Sequence, residues 1–237
     1  MKQATMAIAA ALLSAGVLLA QSNIDNTVPN KYGWGENVGW TNWRDANAGL
    51  EGVNVGPFVM SGFIWGENIG WINVGDGTPT TPPYYANADG TDFGVNIDPD
   101  GDLHGYAWGE NVGWINFDGG AMATPPQPAR IVCANPPGEP LARLTGYAWG
   151  ENIGWINLSE LTAGKFVAVD AATTPLRCDV NHDGNKNGLD IQAFVTRLIA
   201  GGADWRDVCS GDVEGVPDGM IGTGDVPAFV ACLLAPP

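Results

Sequence analysis

A repeated phrase, Trp-Gly-Glu-Asn-(Val/Ile)-Gly-Trp, limits what this chain can fold into more than any other feature does. Its four copies are Trp34–Trp40, Trp65–Trp71, Trp108–Trp114 and Trp149–Trp155. From copy to copy the first tryptophans are 31, 43 and 41 residues apart. Self-similarity at such a period is typical of stacked or radial repeat architectures. The phrase therefore predicts a repeat domain.

The residues around the third copy predict the structure of one repeat. Apolar residues alternate in three segments, Phe93–Ile97, Leu103–Trp108 and Val112–Phe117, which indicates three β-strands. Gly109 and Asn111 tolerate the backbone angles of a tight reversal. The expected unit is a three-stranded antiparallel meander, and four such units give an all-β repeat domain at residues 31–170.

The ends of the repeat region predict that the array is closed. Gly52–Val55 and Ala129–Cys133 are first strands of the second and fourth copies, whereas the first copy has no such strand before it. Lys165–Val169 follows the fourth copy without a partner. We expect it to pair with the hairpin Tyr32–Trp43 and close a propeller-like ring, because closure removes exposed sheet edges. An open β-solenoid is the alternative.

The aromatic residues of the repeats allow two interpretations, a structural core or a sugar-binding surface. Two tryptophans can face each other in every hairpin, which predicts that they form the repeated core. The alternative is that some rings stack on sugars, and Tyr84 and Tyr85, in a Pro-rich loop, are the favoured glycan contacts.

The four equivalent glutamates would share one role, whereas a glycosidase needs two carboxylates in different roles. We therefore expect no enzyme, and a degenerate glycoside hydrolase is the least favoured reading.

The N-terminus, the charge and the cysteines predict an exported protein. Residues 1–20 have the pattern of a secretory signal peptide, and no other stretch is apolar enough to span a membrane. The formal net charge of -16 argues against nucleic-acid binding. The four cysteines are Cys133, Cys178, Cys209 and Cys232. In an exported chain they indicate two disulfides, and the sequence leaves three connectivities open.

The last sixty residues carry an oxygen-rich loop with calcium-binding spacing. Potential side-chain ligands stand at loop positions 1, 3, 5, 9 and 12, from Asp179 to Asp190, and position 7 offers a backbone carbonyl. Gly184 stands at position 6, where the sharp turn needs a glycine. An amphipathic helix then runs from Asp190 to Gly201. A second loop and helix repeat the pattern from Asp212 to Leu234.

This duplicated loop and helix, at Cys178–Leu234, resembles a type I dockerin. The resemblance implies two calcium ions and docking onto a cohesin domain, often in polysaccharide-degrading assemblies. It assigns the first ion to Asp179, Asn181, Asp183, Asn185, Asn187 and Asp190. It assigns the second ion to Asp212, Glu214, Asp218, the carbonyl of Met220, and Asp225.

Two departures from the dockerin pattern affect the second ion and the partner. The second loop has two extra residues around Gly215–Pro217. The partner-selecting positions, Gly188-Leu189 and Thr223-Gly224, lack the hydroxyl pairs of familiar cohesin binders. The tryptophan phrase itself resembles repeats of secreted bacterial surface proteins without an assigned activity.

These observations predict a signal peptide (1–20), a β-repeat domain (31–170), a linker (171–177) and a small helical calcium-loop module (178–237). We expect a secreted or cell-surface, non-catalytic protein whose module attaches the β body to a cohesin-like or other extracellular partner. Disulfides are expected to brace the module. The alternative is a carbohydrate-binding protein tethered to a polysaccharide by the same module.

Overall fold

The computed structural model describes residues 22–79, 84–133, 142–170, 177–201, 204–215 and 219–235. The strands are β1 (Tyr32–Gly35), β2 (Gly39–Asn42), β3 (Asn54–Val55), β4 (Met60–Gly66), β5 (Gly70–Asp76), β6 (Val95–Ile97), β7 (Leu103–Gly109), β8 (Gly113–Asn116), β9 (Arg130–Cys133), β10 (Ala142–Thr145), β11 (Tyr147–Gly150), β12 (Gly154–Asn157), β13 (Ser159–Glu160) and β14 (Lys165–Ala168). The α-helices are α1 (Asp190–Ala200), α2 (Trp205–Gly211) and α3 (Asp225–Leu234), and short 3-10 helices lie at Ala46–Gly49, Gly119–Met122 and Leu161–Ala163. The predicted signal peptide and most of the predicted linker lie outside the described residues.

The four tryptophan phrases form four β-hairpins that close into an eight-stranded antiparallel barrel. The hairpins are β1–β2, β4–β5, β7–β8 and β11–β12. Each hydrogen-bonds laterally to the next, and the last meets the first where Trp34 lies opposite Asn157. The array is therefore closed, which excludes an open solenoid. Lateral hydrogen bonds also join every hairpin to its neighbours, unlike the separate blades of a propeller.

The strand that follows the fourth copy does not close the ring, so that prediction is wrong. β14 pairs with β10 and β13 in a separate four-stranded sheet with β9. Its backbone is joined to the residues before β1 by an isolated bridge from Val167 to Lys31, and Val169, which follows β14, forms another with Ile24. The backbone edges of β1 and β12 bond to each other directly, and this leaves no open edge at the closure for another strand.

The barrel interior is filled mainly by small and medium side chains, and the repeated tryptophans lie outside it. Paired inner residues such as Ile64 with Ile72 and Ala107 with Ile115 are at most 3 % exposed. The interior of an eight-stranded barrel is just wide enough for side chains to fill. Trp43 and Phe117, which follow β2 and β8, line the same interior beside the smaller residues. Trp65, Trp108, Trp114 and Trp149 are 36–41 % exposed, and the other four repeated tryptophans are half-buried. The prediction that they form the core is therefore wrong.

The turns of the four phrases interlock at one end of the barrel. In each turn the Val or Ile side chain packs where a side chain on the first glycine would otherwise lie, as Val112 does over Gly109. The second glycine has a positive φ, between +75° and +82°. Each asparagine amide donates to a carbonyl in the preceding turn around the ring: Asn37 to Ile153, Asn68 to Val38, Asn111 to Ile69 and Asn152 to Val112, at 3.0–3.2 Å. This closed ring of hydrogen bonds gives the asparagine the same role in all four copies of the phrase.

Replacing Gly109 with alanine should lower the free energy of unfolding by about 1–3 kcal/mol, because the added methyl group would overlap the Val112 side chain. The Gly109→Ala/Val112→Ala double variant should lose less stability than the two single variants together, since the clash is gone. Gly90→Ala is the control, because no atom lies within 4 Å of the added methyl group. Chemical denaturation measures all four, and strictly additive losses would contradict the interlocked turn.

Two disulfides join the helices to other parts of the fold. Cys133 on β9 of the four-stranded sheet bonds to Cys209 on α2, and Cys178, just before the first loop, bonds to Cys232 on α3. Trp205 on α2 is 2 % exposed and belongs to the same hydrophobic cluster as the inner residues of the barrel. Its indole N–H donates to the carbonyl of Gly56 at 2.9 Å. The two tryptophans outside the repeated phrases, Trp43 and Trp205, are thus the buried ones.

The other two helices have a small core of their own. Phe194 on α1 stacks on Phe229 on α3, with ring centroids 3.9 Å apart and planes within 8° of parallel. Val180, Val213 and Ile221 from the loops complete this cluster. The predicted helix from Asp190 is confirmed, and the duplication in sequence appears as two loops packed around one shared pair of rings. No helix among the described residues combines the length and the apolar character that crossing a membrane requires.

Candidate metal centre

The first loop is wound around two buried carboxylates. Asp179 is 2 % exposed, and its oxygens accept the backbone N–H groups of Asp183 at 3.1 Å and Gly184 at 2.8 Å. Gly184 has a φ of +83°, so a glycine is needed for this turn. The turn brings the middle of the loop back onto its first residue.

Asp190 closes the same loop from its far end. It is the first residue of α1 and is fully buried. One carboxylate oxygen accepts the N–H of Asn181 at 3.2 Å, and the other accepts the N–H of Asn187 at 2.8 Å. Asp179 and Asp190 therefore both hold loop backbone, one from the loop's beginning and one from its end.

The remaining predicted ligands of the first ion lie nearer the surface. Asn181, Asp183 and Asn185 are exposed. The Asn181 amide donates to Asp183 at 3.1 Å, and Asp183 also accepts the N–H of Asn185 at 2.8 Å. The side-chain oxygen of Asn187 accepts the N–H of Leu189 at 2.8 Å, so it stabilises the start of α1. Together with the contacts of Asp179 and Asp190, these hydrogen bonds join all six predicted ligands within the loop.

The second loop keeps the hydrogen-bond pattern of the first despite its two extra residues. Asp212 accepts the N–H of Gly219, whose φ is +86°, just as Asp179 accepts that of Gly184. Asp225 opens α3 and accepts from the residue three before it, Gly222, at 2.8 Å, as Asp190 does from Asn187. It also accepts the N–H groups of Val213 and Glu214. Of the other predicted ligands, Glu214 is half-buried, Met220 is 61 % exposed and Asp218 lies outside the described residues.

Three of the buried carboxylates form no ion pair with the residues that the structure describes. No lysine, arginine or histidine in that part of the chain lies within ion-pairing distance of Asp179, Asp190 or Asp225. Burying a charge is costly unless an opposite charge compensates it. The available donors are all oxygens, which suits a hard cation such as calcium and argues against zinc.

The donor chemistry fits calcium through both side-chain and main-chain oxygens. Among the described residues, no three histidine, cysteine, aspartate or glutamate side chains gather closely enough to form a metal site by themselves. Calcium also takes amide and carbonyl oxygens. The residues able to hold it are therefore Asp179, Asn181, Asp183, Asn185 and Asp190 in the first loop, and Asp212, Glu214 and Asp225 in the second.

The two tyrosines predicted to contact glycans are placed differently. Tyr85 is 5 % exposed; its hydroxyl accepts the N–H of Gly77 at 2.6 Å and donates to the carbonyl of Met60 at 3.2 Å. Burial is the main cause that raises its pKa to about 12. Tyr84 stacks on Phe58, with centroids 5.2 Å apart. An exposed Tyr85 contact is therefore wrong, because Gly94 leaves the space in which its ring is buried.

Sequence reasoning missed the clefts on the outside of the barrel. One, of about 540 Å³, lies between the third and fourth hairpins, and one of about 580 Å³ lies between the fourth and the first. Both are lined by a tyrosine, tryptophans, an asparagine and a glutamate from equivalent positions of the phrases. The sequence did contain a signal for these clefts, because tryptophan alternates strictly with isoleucine or alanine in the strands. Only the tryptophans or the smaller residues could face the barrel interior, and the other set had to lie on its outer surface.

Comparison of the chain with protein-family models, with curated proteins and with solved structures found no significant match. The arguments about function therefore rest on the residues and their geometry.

Proposed function

We propose that this protein uses a calcium-loaded C-terminal module to attach its β-barrel to an extracellular protein partner. The observation that carries this proposal is a set of three buried aspartates, Asp179, Asp190 and Asp225, which form no ion pair with the described lysines, arginines and histidines. A dication in each loop would balance their charge, and the asparagine and carbonyl oxygens would complete its coordination.

Calcium would also determine where the helices lie. Asp190 and Asp225 are both the last ligand of a loop and the first residue of a helix. An ion that holds the loop therefore holds the start of the helix, so binding and folding of the module are coupled. The stacked rings of Phe194 and Phe229 then fix α1 against α3.

The outer faces of these two helices provide a surface for a partner. Ile191, Val195 and Ile199 on α1 are 44–81 % exposed, and Val226, Val230 and Leu234 on α3 are 36–80 % exposed. Apolar side chains grouped on one exposed face are typical of protein interaction sites. The apolar residues of each helix thus fall into two groups. Phe194 and Phe229 pack against each other inside the module, whereas the other apolar residues just named are exposed on its surface.

Two further features agree with an extracellular location. All four cysteines form disulfides, which persist mainly outside the reducing cytosol. The excess of acidic residues suits a calcium-binding protein in a calcium-rich medium.

The proposed partner class is tested by calorimetric titration of the full chain with a panel of purified cohesin domains, in calcium and in EDTA. We expect binding of at least one domain in calcium only. Val195→Arg should abolish that binding, whereas Leu161→Arg, on an exposed apolar residue of the barrel region, should not. Binding that persists in EDTA, or that is indifferent to Val195→Arg, would overturn docking through this face. If no domain in the panel binds, cohesins are not the partner.

A further inference from the structure

The cleft between the fourth and first hairpins is built from two neighbouring phrases. Tyr147 and Trp155 come from the fourth hairpin, and Trp34 and Glu36 come from the first. The two hairpins meet here in register, with Asn157 opposite Trp34. The rings are steeply inclined: Trp155 lies at 63° to Trp149 and at 80° to Tyr147. They do not form the broad flat platform on which an extended sugar chain stacks.

The first hairpin already holds a cation on the equivalent pair of rings. Tyr32 and Trp40 occupy the hairpin positions that Tyr147 and Trp155 occupy in the fourth, as the strand registers show. The ammonium group of Lys165 lies 4.1 Å from the centroid of Trp40 and 5.2 Å from that of Tyr32. An ammonium group over aromatic faces is attracted by the negative potential of the rings. The chain itself thus shows which chemistry this arrangement accepts.

The cleft of the fourth hairpin has the same rings without that cation. The described residues that line it include no lysine or arginine, and Gln127 lies at its edge. Two carboxylates, Glu36 and Glu160, line it as well. The carboxylate of Glu160 accepts a hydrogen bond from the side chain of Asn157 at 3.1 Å. This bond holds the carboxylate beside β12, the strand that carries Trp155. In the third hairpin, by contrast, the equivalent cleft is lined by one more aromatic ring, Phe93, whose centroid lies 5.2 Å from that of Trp114.

We propose that the cleft formed by Tyr147, Trp155, Trp34, Glu36 and Glu160 binds an alkylammonium group, presented by a lysine side chain of a partner polypeptide. The aromatic rings attract the cation, and the two carboxylates add charge complementarity. The net charge of -16 favours approach of a basic segment. This site is on the barrel and is independent of the calcium loops.

The test follows the indole N–H signals of the full chain by NMR during titration with n-butylammonium chloride. We expect saturable shifts at one site, and none with the neutral analogue n-butanol. A short peptide with one central lysine should compete, whereas the same peptide with that lysine acetylated should not. If only free butylammonium binds, the site is for small amines and the proposed polypeptide source is overturned.

Matched variants locate the site. Glu36→Gln should weaken binding by up to roughly fivefold, the size of a surface ion pair. Glu67 occupies the position in the second phrase that Glu36 occupies in the first, next to the hairpin whose rings Lys165 covers. Glu67→Gln should therefore leave butylammonium binding unchanged. Lys165→Gln should add a second binding site at Tyr32 and Trp40. All three residues are at the surface, and thermal melting confirms that each variant folds.

Three outcomes would overturn the proposal. Equal responses of Glu36→Gln and Glu67→Gln would show that the effect is general charge and not the cleft. An unchanged stoichiometry in Lys165→Gln would show that the aromatic pair is not the cation platform. Shifts produced by a neutral oligosaccharide such as cellohexaose, with none from butylammonium, would assign the cleft to glycans.

Discussion

Replacing Trp205 with alanine should lower the free energy of unfolding by about 3–5 kcal/mol, the usual cost of removing a large buried aromatic side chain. Trp205 lies on α2, between the two proposed calcium loops in sequence, yet it is 2 % exposed and belongs to the hydrophobic cluster that includes the inner residues of the barrel. Its indole N–H also satisfies the carbonyl of Gly56. The substitution therefore removes packing and a buried hydrogen bond together. Guanidinium denaturation followed by near-ultraviolet circular dichroism measures the loss.

Two controls separate the causes of this destabilisation. Trp205→Phe keeps most of the apolar contact but loses the hydrogen bond to Gly56, so it should cost about 1–3 kcal/mol. Trp108→Ala also removes a tryptophan, but one that is 37 % exposed on the outer face of the barrel. It should cost clearly less than Trp205→Ala. Equal losses for Trp205→Ala and Trp108→Ala would mean that α2 is not anchored in the barrel core.

Replacing Asp190 with alanine should weaken calcium binding at the first loop by about 100-fold or more. Even the loss of a residue that only hydrogen-bonds to a metal ligand lowers metal affinity by about 10–100-fold. The fully buried carboxylate is lost as a ligand, and the N–H groups of Asn181 and Asn187 lose the acceptor that shapes the loop. Calorimetric titration should then find one ion in place of two. Asp225→Ala should have the corresponding effect on the second loop.

The matched control for both variants is Asp100→Ala. Asp100 is an exposed acid in a turn of the barrel, so its loss changes the net charge equally without touching either loop. Its calcium titration should equal that of the unaltered protein. A reduction as large as that of Asp190→Ala would indicate that calcium responds to overall charge and not to the loops.

The features that could be predicted from sequence are those encoded locally. The hairpins follow from alternation, but the positive φ of each reversal lies on the second glycine of the phrase, such as Gly113, and not on Gly109 or Asn111. Helix α1 follows from its apolar spacing after Asp190. Gly184 was placed correctly because position 6 of such a loop needs a positive φ. In each case neighbouring residues determine the backbone.

The features that could not be predicted depend on which face of a strand turns inward. Alternation shows that Trp114 and Ile115 lie on opposite faces of their strand, but it does not say which face meets the core. Hydrophobicity favours the tryptophans, whereas the limited volume inside eight strands selects isoleucine and alanine. The burial of Tyr85 depends on the distant Gly94, and the pairing of Cys133 with Cys209 depends on where α2 docks. None of these is visible in a local pattern.

A calcium titration of the full chain by calorimetry, after removal of bound metal with EDTA, tests the central claim most directly. The claim is that two loops, each closed by a buried aspartate at the start of a helix, hold one ion each. It predicts two ions bound per chain, and a higher melting temperature in calcium than in EDTA. No binding heat, together with identical melting in calcium and EDTA, would contradict it.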